Sequence, residues 1–364
     1  MPTPTNIYFA TNREPITDGS NPPTDFSATF HKLGVTFGKA AVPDWSADSP
    51  PMGQLFTLSS LSSQTFLPGL IGEIVGADAD QLLFTIHGFD YTFQESIQRA
   101  AYLQSWYGAG SLPIKTVVVA LCWPSAGKLD PDDYDNDYAR AGQSGDAFRI
   151  LLLSLVSIIA QFKSARAGRR ASVIAHSMGN HVLAAGLDSA IGSGPGLYDP
   201  QASGALFDQA ILAASDEDTD ALSHSDKLQP ILSLATRTHL YYNNMDLALG
   251  GPSRVLHFAG RLGIDGPGDK ISFVGTNISF INCSTAEPFN KDGSYVDSTC
   301  HQYYRLVPEV RDDICAMMRG LANDDPSVIN RTYRQPENYY RLDLGTASQQ
   351  AGYLLDMPAT PGRG

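Results

Sequence analysis

Short continuous apolar runs alternate along this chain with longer stretches whose apolar residues recur three and four apart. Residues 82–86, 117–122, 172–175, 209–214 and 239–243 are of the first kind and read as strands buried on both faces. Residues 93–106 place Phe93, Ile97, Ala100, Ala101 and Leu103 on one helical face. Residues 146–162 do the same with Phe148, Leu151, Leu152, Leu155, Ile158, Ile159 and Phe162. Further helices are expected after Met178, over 228–234 and over 308–321, and a last strand over 277–282. Ahead of the buried runs, 7–10, 28–37 and 54–58 read as looser strands, broken by Thr11-Asn12-Arg13-Glu14-Pro15 and a polar loop to about Asp25. Prolines of this kind are tolerated at an antiparallel sheet edge. Strands alternating with helices predict an α/β fold. It has a mostly parallel central sheet, helices on both faces and an N-terminal antiparallel strand extension. No repeat or low-complexity linker divides the chain. One domain over 1–321 follows, with 322–364 an irregular C-terminal tail that packs on the surface.

Composition narrows the class. The 364 residues, 43% hydrophobic and 17% charged, suit one large α/β domain with additions. A net charge of −13 argues against nucleic acid and anionic membrane surfaces, which need a positive footprint. No basic stretch followed by an apolar core opens the chain, and no apolar run reaches bilayer length. A cytoplasmic protein without stable membrane insertion is expected. Cys122, Cys283, Cys300 and Cys315 lack the close spacing of a zinc site. Cys122 reads as a buried thiol, and whether Cys283 and Cys300 pair across their loop is open. The acidic stretch 130–137 does not fit a calcium-binding loop and reads as a solvated loop or helix N-terminus.

One strand runs into Ala175-His176-Ser177-Met178-Gly179 and then a helix. This is similar to the Gly-x-Ser-x-Gly nucleophile elbow of α/β-hydrolases, with Ala175 for the first glycine. The competing reading is a plain corner whose serine caps the helix. A serine hydroxyl needs a base, a group to orient the base and donors for an oxyanion. The chain order for this fold is serine, acid, histidine. Asp246, after the 239–243 strand, is the candidate acid; its competing role is to cap Leu247-Ala248-Leu249. Asp216 and Asp218, after the preceding strand, are rivals. His301, beyond the last strand, is the candidate general base. His31, His224 and His257 lie too early in chain order, His176 reads as pointing away from the serine, and His181 as packed on the elbow helix. His87-Gly88-Phe89-Asp90 supplies a flexible turn after a central strand, so oxyanion donors are expected from the N–H groups of Phe89 and Met178. Tyr91, Phe93, Trp123 and Tyr303, with Phe89 and Tyr304, flank these loops. They are candidates for an apolar substrate pocket, or simply core.

Together these runs resemble the bacterial α/β-hydrolases of unknown function called DUF900. The matching segments are Tyr8-Phe9-Ala10-Thr11-Asn12-Arg13, Ile86-His87-Gly88-Phe89-Asp90, Trp123-Pro124-Ser125-Ala126-Gly127 and Ala175-His176-Ser177-Met178-Gly179-Asn180. Asn244-Met245-Asp246, Arg261-Leu262-Gly263 and His301-Gln302-Tyr303-Tyr304 complete them. The family's usual Gly-His-Ser around the histidine is here Cys300-His301-Gln302. The resemblance implies an α/β-hydrolase fold and carries little about substrate. The residues themselves point to a serine esterase that acts on a small-molecule ester through an acyl-enzyme, with no metal or organic cofactor. Amide or peptide hydrolysis by the same residues, or a non-catalytic binding module, are the alternatives.

Overall fold

The buried runs pair side by side in one sheet. In the computed structural model, which describes residues 4–16, 19, 23–31, 34–43, 57–109, 111–128, 131–253, 259–285, 297, 299–323, 325, 331–334 and 338–342, thirteen strands form. They are β1 (Thr5–Thr11), β2 (Arg13–Ile16), β3 (Asp25–Phe30), β4 (Thr36–Val42), β5 (Thr57–Leu61), β6 (Gln81–Ile86) and β7 (Thr116–Leu121). β8 (Arg170–His176), β9 (Phe207–Ala213), β10 (Ala235–Tyr242), β11 (Ile278–Asn282), β12 (Arg331–Arg334) and β13 (Tyr339–Leu342) follow. Eleven of them make one sheet in the order β12-β13-β11-β10-β9-β8-β6-β7-β1-β4-β5, and β2 pairs with β3 apart from it. The centre is parallel from β1 and β7 through to β13. Among the described residues the pairs β1–β4, β4–β5 and β12–β13 of this sheet are antiparallel, as is β2–β3 beside it.

Continuous apolar strands mean burial on both faces, and side-chain alternation divides them. Leu82, Phe84, Ile86, Val117, Val119, Val173 and Ala175 face one layer with α1 (Ser63–Gly76), α3 (Pro131–Gln143), α4 (Gly145–Ala165) and α5 (Gly179–Ala190). Leu83, Val118, Ala120 and Ile174 face the other with α2 (Phe93–Gly108) and the helix Pro308–Met318. Thr92 caps α2 in a reciprocal arrangement with Glu95, which fixes where that helix starts.

Several expectations are corrected. The single strand over 28–37 is two, β3 and β4, with β4 turning back along β1. Residues 54–56 of the third early strand lie outside the described residues, and β5 begins at Thr57. Helix α1 was not expected, because Pro68 and three glycines mask its buried stripe of Phe66, Leu70 and Ile74. The irregular tail after 321 instead contributes β12 and β13, which extend the sheet beyond β11. Tyr339 packs on Phe280 with ring centroids 4.7 Å apart, and Arg331 pairs with Asp313. Residues 343–364 lie outside the described residues. One helical stretch, Asp132–Ala165, is long and apolar enough to cross a membrane, which the sequence reading denied; half of its apolar window is buried inside the protein. Residues 131–137 of the acidic stretch open α3, with Asp132 and Asp133 in its first turn, where the helix dipole favours them; residue 130 lies outside the described residues. Cys122, Cys283 and Cys315 are buried free thiols, so Cys283 does not pair with Cys300.

Candidate active site

β8 ends at His176 and α5 begins at Gly179, so Ser177 occupies the joint. Its φ is +53°, a left-handed conformation that costs a non-glycine residue of order 1–3 kcal/mol and persists only where neighbours enforce it. The neighbours are specific. The Ser177 N–H donates to the Ala213 carbonyl at 3.0 Å. The Ser177 carbonyl accepts from the Asn180 N–H at 3.0 Å, from Asn180 Nδ2 at 3.0 Å and from the Asp216 N–H at 3.3 Å. Asn180 Nδ2 also donates to the Ala175 carbonyl at 3.1 Å. Asn180 therefore ties the end of the strand to the start of the helix, a role the sequence reading missed. Ala175 is fully buried in the core, so the turn tolerates a methyl where the usual motif has glycine.

The turn after β6 presses onto this joint. A Cβ on Gly88 would lie 2.9 Å from Ser177 Cβ, and one on Gly179 would lie 2.6 Å from the carbonyl oxygens of Ile86 and His87. Both glycines are required for that approach. Phe89 thus follows a residue in contact with Ser177, and Met178 is the next residue in the chain. Asp90 is also left-handed, at φ +63°. Burial, with Glu95 and Asp137 nearby, raises its carboxyl to about 6.

Asp246 and His301, 55 residues apart in sequence, meet: His301 Nδ1 is 2.6 Å from Asp246 Oδ2. The second oxygen, Oδ1, accepts the Leu249 N–H at 3.0 Å, so the carboxylate both caps the following turn and holds the imidazole. The two roles posed as alternatives coexist. The loops are tied together by the Leu247 N–H to Thr299 carbonyl bond at 2.8 Å and by Asn243 Nδ2 to the Cys300 carbonyl at 3.3 Å. Burial alone would push the His301 imidazole down, but the Asp246 carboxylate, then Asp297 and Asp216, outweigh it and hold the pKa above the ordinary histidine value. Asp297 was also missed. Its Oδ2 accepts the N–H groups of His301, at 2.7 Å, and Gln302, and its Oδ1 accepts the Thr299 N–H and hydroxyl. This carboxylate shapes the turn in which Cys300 adopts φ +54°.

His301 packs on His176, the last residue of β8 before Ser177. His176 Nε2 lies 3.2 Å from the His301 carbonyl oxygen, and the two rings are 4.6 Å apart. His176 is thus packed beneath His301 and stacked on Tyr304. The rival acids are engaged elsewhere. Asp216 accepts the Tyr134 hydroxyl at 2.5 Å and lies 3.5 Å from Arg261, while Asp218 pairs with Arg261 at 2.8 Å and Lys227 at 2.9 Å. His181 pairs with Glu217 at 2.6 Å and stacks on Tyr138. His31 and His224 pair with Glu14 and Asp220 far from the elbow in sequence, and His257 lies outside the described residues.

Three of the aromatic pocket candidates are scaffold. Phe93 is fully buried among Phe9 and Phe26. Trp123 donates from Nε1 to the His87 carbonyl at 2.7 Å and stacks on the His87 ring. Tyr303 donates to the Tyr241 carbonyl at 2.8 Å and accepts the Ala214 N–H at 2.9 Å. Phe93 is core, and the polar tips of Trp123 and Tyr303 brace the sheet end. Tyr91 keeps its hydroxyl 3.4 Å from Gln302 Oε1, next to His301. Among the described residues, no group of three histidine, cysteine or acidic side chains is arranged to hold a metal ion.

No curated protein matches the chain. A family model described as an alpha/beta hydrolase of unknown function, DUF900, matches residues 68–273. That span exceeds half of the 364 residues and contains the Gly88 turn, Ser177 and Asp246, with His301 beyond its end. The strand–turn–helix around Ser177, the mixed sheet with antiparallel N-terminal strands, and this match lead to one conclusion: the chain belongs to the DUF900 family of alpha/beta hydrolases, whose function is unknown.

Proposed function

We propose that the protein is a serine hydrolase that cleaves carboxylic esters through an acyl-enzyme. Ser177 is the nucleophile, His301 the general base and Asp246 the acid that orients it. The observation that carries this reading is the 2.6 Å bond from His301 Nδ1 to the buried Asp246 carboxylate. With Nδ1 engaged, the lone pair at Nε2 is the atom left to take a proton. As Ser177 Oγ attacks the ester carbonyl, its proton moves to His301 Nε2 and the carbonyl oxygen becomes an oxyanion facing the N–H groups of Phe89 and Met178. Collapse breaks the bond to the alcohol, which takes the proton from His301. Water then repeats the sequence and frees the acid. Removing one oxyanion donor typically costs about 3 kcal/mol of barrier. The chemistry asks for no metal or organic cofactor.

The test is labelling by a fluorophosphonate probe, followed by turnover of p-nitrophenyl esters of increasing acyl length and of the matching anilides. Wild type is expected to label and to hydrolyse esters faster than anilides, and Ser177→Ala to do neither. A folded wild type that resists the probe is a binding module. Faster anilide than ester turnover makes it an amidase.

A further inference from the structure

Behind the elbow, between α2 and the strands β6, β7 and β8, lies a small cavity lined by His87, Arg99, His176 and Tyr304 among others. The volume open to the centre of a water molecule is ≈ 10 Å³, about what one water needs. Three nitrogens on these lining residues are buried without a hydrogen-bond partner: His87 Nε2, His176 Nδ1 and Arg99 Nε. His87 and His176 are 7% and 2% exposed, so bulk solvent does not serve them.

The partners of the other ring nitrogens fix what these atoms are. His87 Nδ1 is 2.9 Å from the Gly88 carbonyl oxygen, and His176 Nε2 is 3.2 Å from the His301 carbonyl oxygen. A carbonyl can only accept, so the proton sits on Nδ1 of His87 and on Nε2 of His176. His87 Nε2 and His176 Nδ1 are then lone-pair acceptors, while Arg99 Nε is a donor. Burial, with Arg13 nearby, pushes the His87 imidazole down to about 3, and burial, with His301 beside it, pushes His176 down as well. Both rings are neutral at ordinary pH.

Two acceptors and one donor around a water-sized space have one simple complement. We infer that a single buried water occupies this cavity, donating to His87 Nε2 and His176 Nδ1 and accepting from Arg99 Nε. An anion would face two lone pairs, and a metal cation would face the guanidinium. The water joins the turn that carries Phe89 to the side chain under His301. It fixes the His176 tautomer whose Nε2–H holds the His301 carbonyl. His176 is thereby a positioning residue for the base, a role that rests on the hydrolase reading, whereas the water site does not.

Two measurements test the site itself. A high-resolution crystal structure is expected to show an ordered water within hydrogen-bond distance of all three nitrogens. Nitrogen-15 spectra of the histidine rings are expected to show His87 as the Nδ1–H tautomer and His176 as the Nε2–H tautomer. A dry cavity, or an Nδ1–H on His176, overturns the inference. For the positioning role, His176→Leu removes both contacts and His176→Gln keeps a donor at the Nε2 position. His176→Leu is expected to lower ester kcat by about tenfold or more with little change in KM, since small displacements of a reacting group carry costs of that size. His176→Gln is expected to recover most of it. Equal kcat in wild type and the leucine variant refutes the positioning role. Should His176→Leu not fold, the wild-type crystal and spectra still decide the site. Failure of Ser177 to label, with the water and tautomers found, removes the hydrolase reading and leaves the water site standing.

Discussion

Three aspartates after neighbouring strands compete for one histidine, and their surroundings separate them. Asp246 is bonded to His301, whereas Asp216 is held by Tyr134 and lies beside Arg261, and Asp218 is shared by Arg261 and Lys227. Asp246→Asn should therefore lower kcat by about 10⁴, the size seen when an orienting carboxylate becomes an amide. Asp218→Asn should leave ester kcat close to wild type, as measured by steady-state kinetics. The pH profile has a defined sign. His301 must be neutral to accept a proton, and its pKa is raised in the fold. Activity should fall with decreasing pH along a limb centred above the ordinary histidine value of about 6.5. Asp297→Asn removes one of the charges that raise it, so the limb should move to lower pH, a shift that loss of loop order alone does not produce. For stability the sign reverses. A raised histidine pKa contributes fully below the unfolded value and is lost as pH rises through the folded one. Chain order made the pairing of Asp246 with His301 legible in the sequence, and the small-residue motif the turn at Ser177. Asn180, Asp297 and Arg261 were not, because each acts through backbone groups or partners that only the folded turn brings into reach.

The elements around the elbow are set by how closely two backbones approach. Gly179→Ala would place a methyl 2.6 Å from two carbonyl oxygens, and nothing at the end of β6 can retreat without moving the Phe89 turn. Equilibrium urea denaturation should show a loss of about 1–3 kcal/mol, the usual cost of overpacking, together with reduced ester turnover. Ala175→Gly restores the commoner motif, yet the Ala175 methyl is buried in the core. It should lower stability by about 0.5–1 kcal/mol and leave kcat unimproved. The buried parallel strands were legible because burial on both faces writes an unbroken apolar run. The early strands were not, since β3 and β5 have half-buried positions that break the alternation, and β4 builds its alternating buried face from Gly38, Ala40 and Val42, too small a set to write a strong apolar pattern. Helix α1 was hidden by Pro68 and its glycines, although its buried residues keep a spacing of four.

At the scale of the whole molecule, the sheet does not end at the strands that precede Asp246 and His301. β13 lies parallel to β11, and β12 closes that edge. A long parallel strand with a free edge invites pairing with other chains, and covering it removes that hazard. What fixes the cover is ionic. Arg331 donates to both oxygens of Asp313 at 2.6 and 2.8 Å, each side chain is 1% exposed, and the Tyr241 hydroxyl donates to the same carboxylate at 2.6 Å. Such a contact between distant segments leaves no periodic trace, which is why the sequence suggested a loose tail. Removing one partner leaves the other charged and buried, a change that costs roughly 3–5 kcal/mol. Arg331→Met alone should thus lower the urea midpoint strongly, while Asp313→Leu combined with Arg331→Met should recover much of the loss, since a packed apolar pair is often as stable as a buried ionic one. The single variant should also form larger species by light scattering once the β11 edge is uncovered. Equal destabilisation in the single and double variants would mean that the hairpin is held by Tyr339 and Leu342 packing, and that the ion pair is incidental to it.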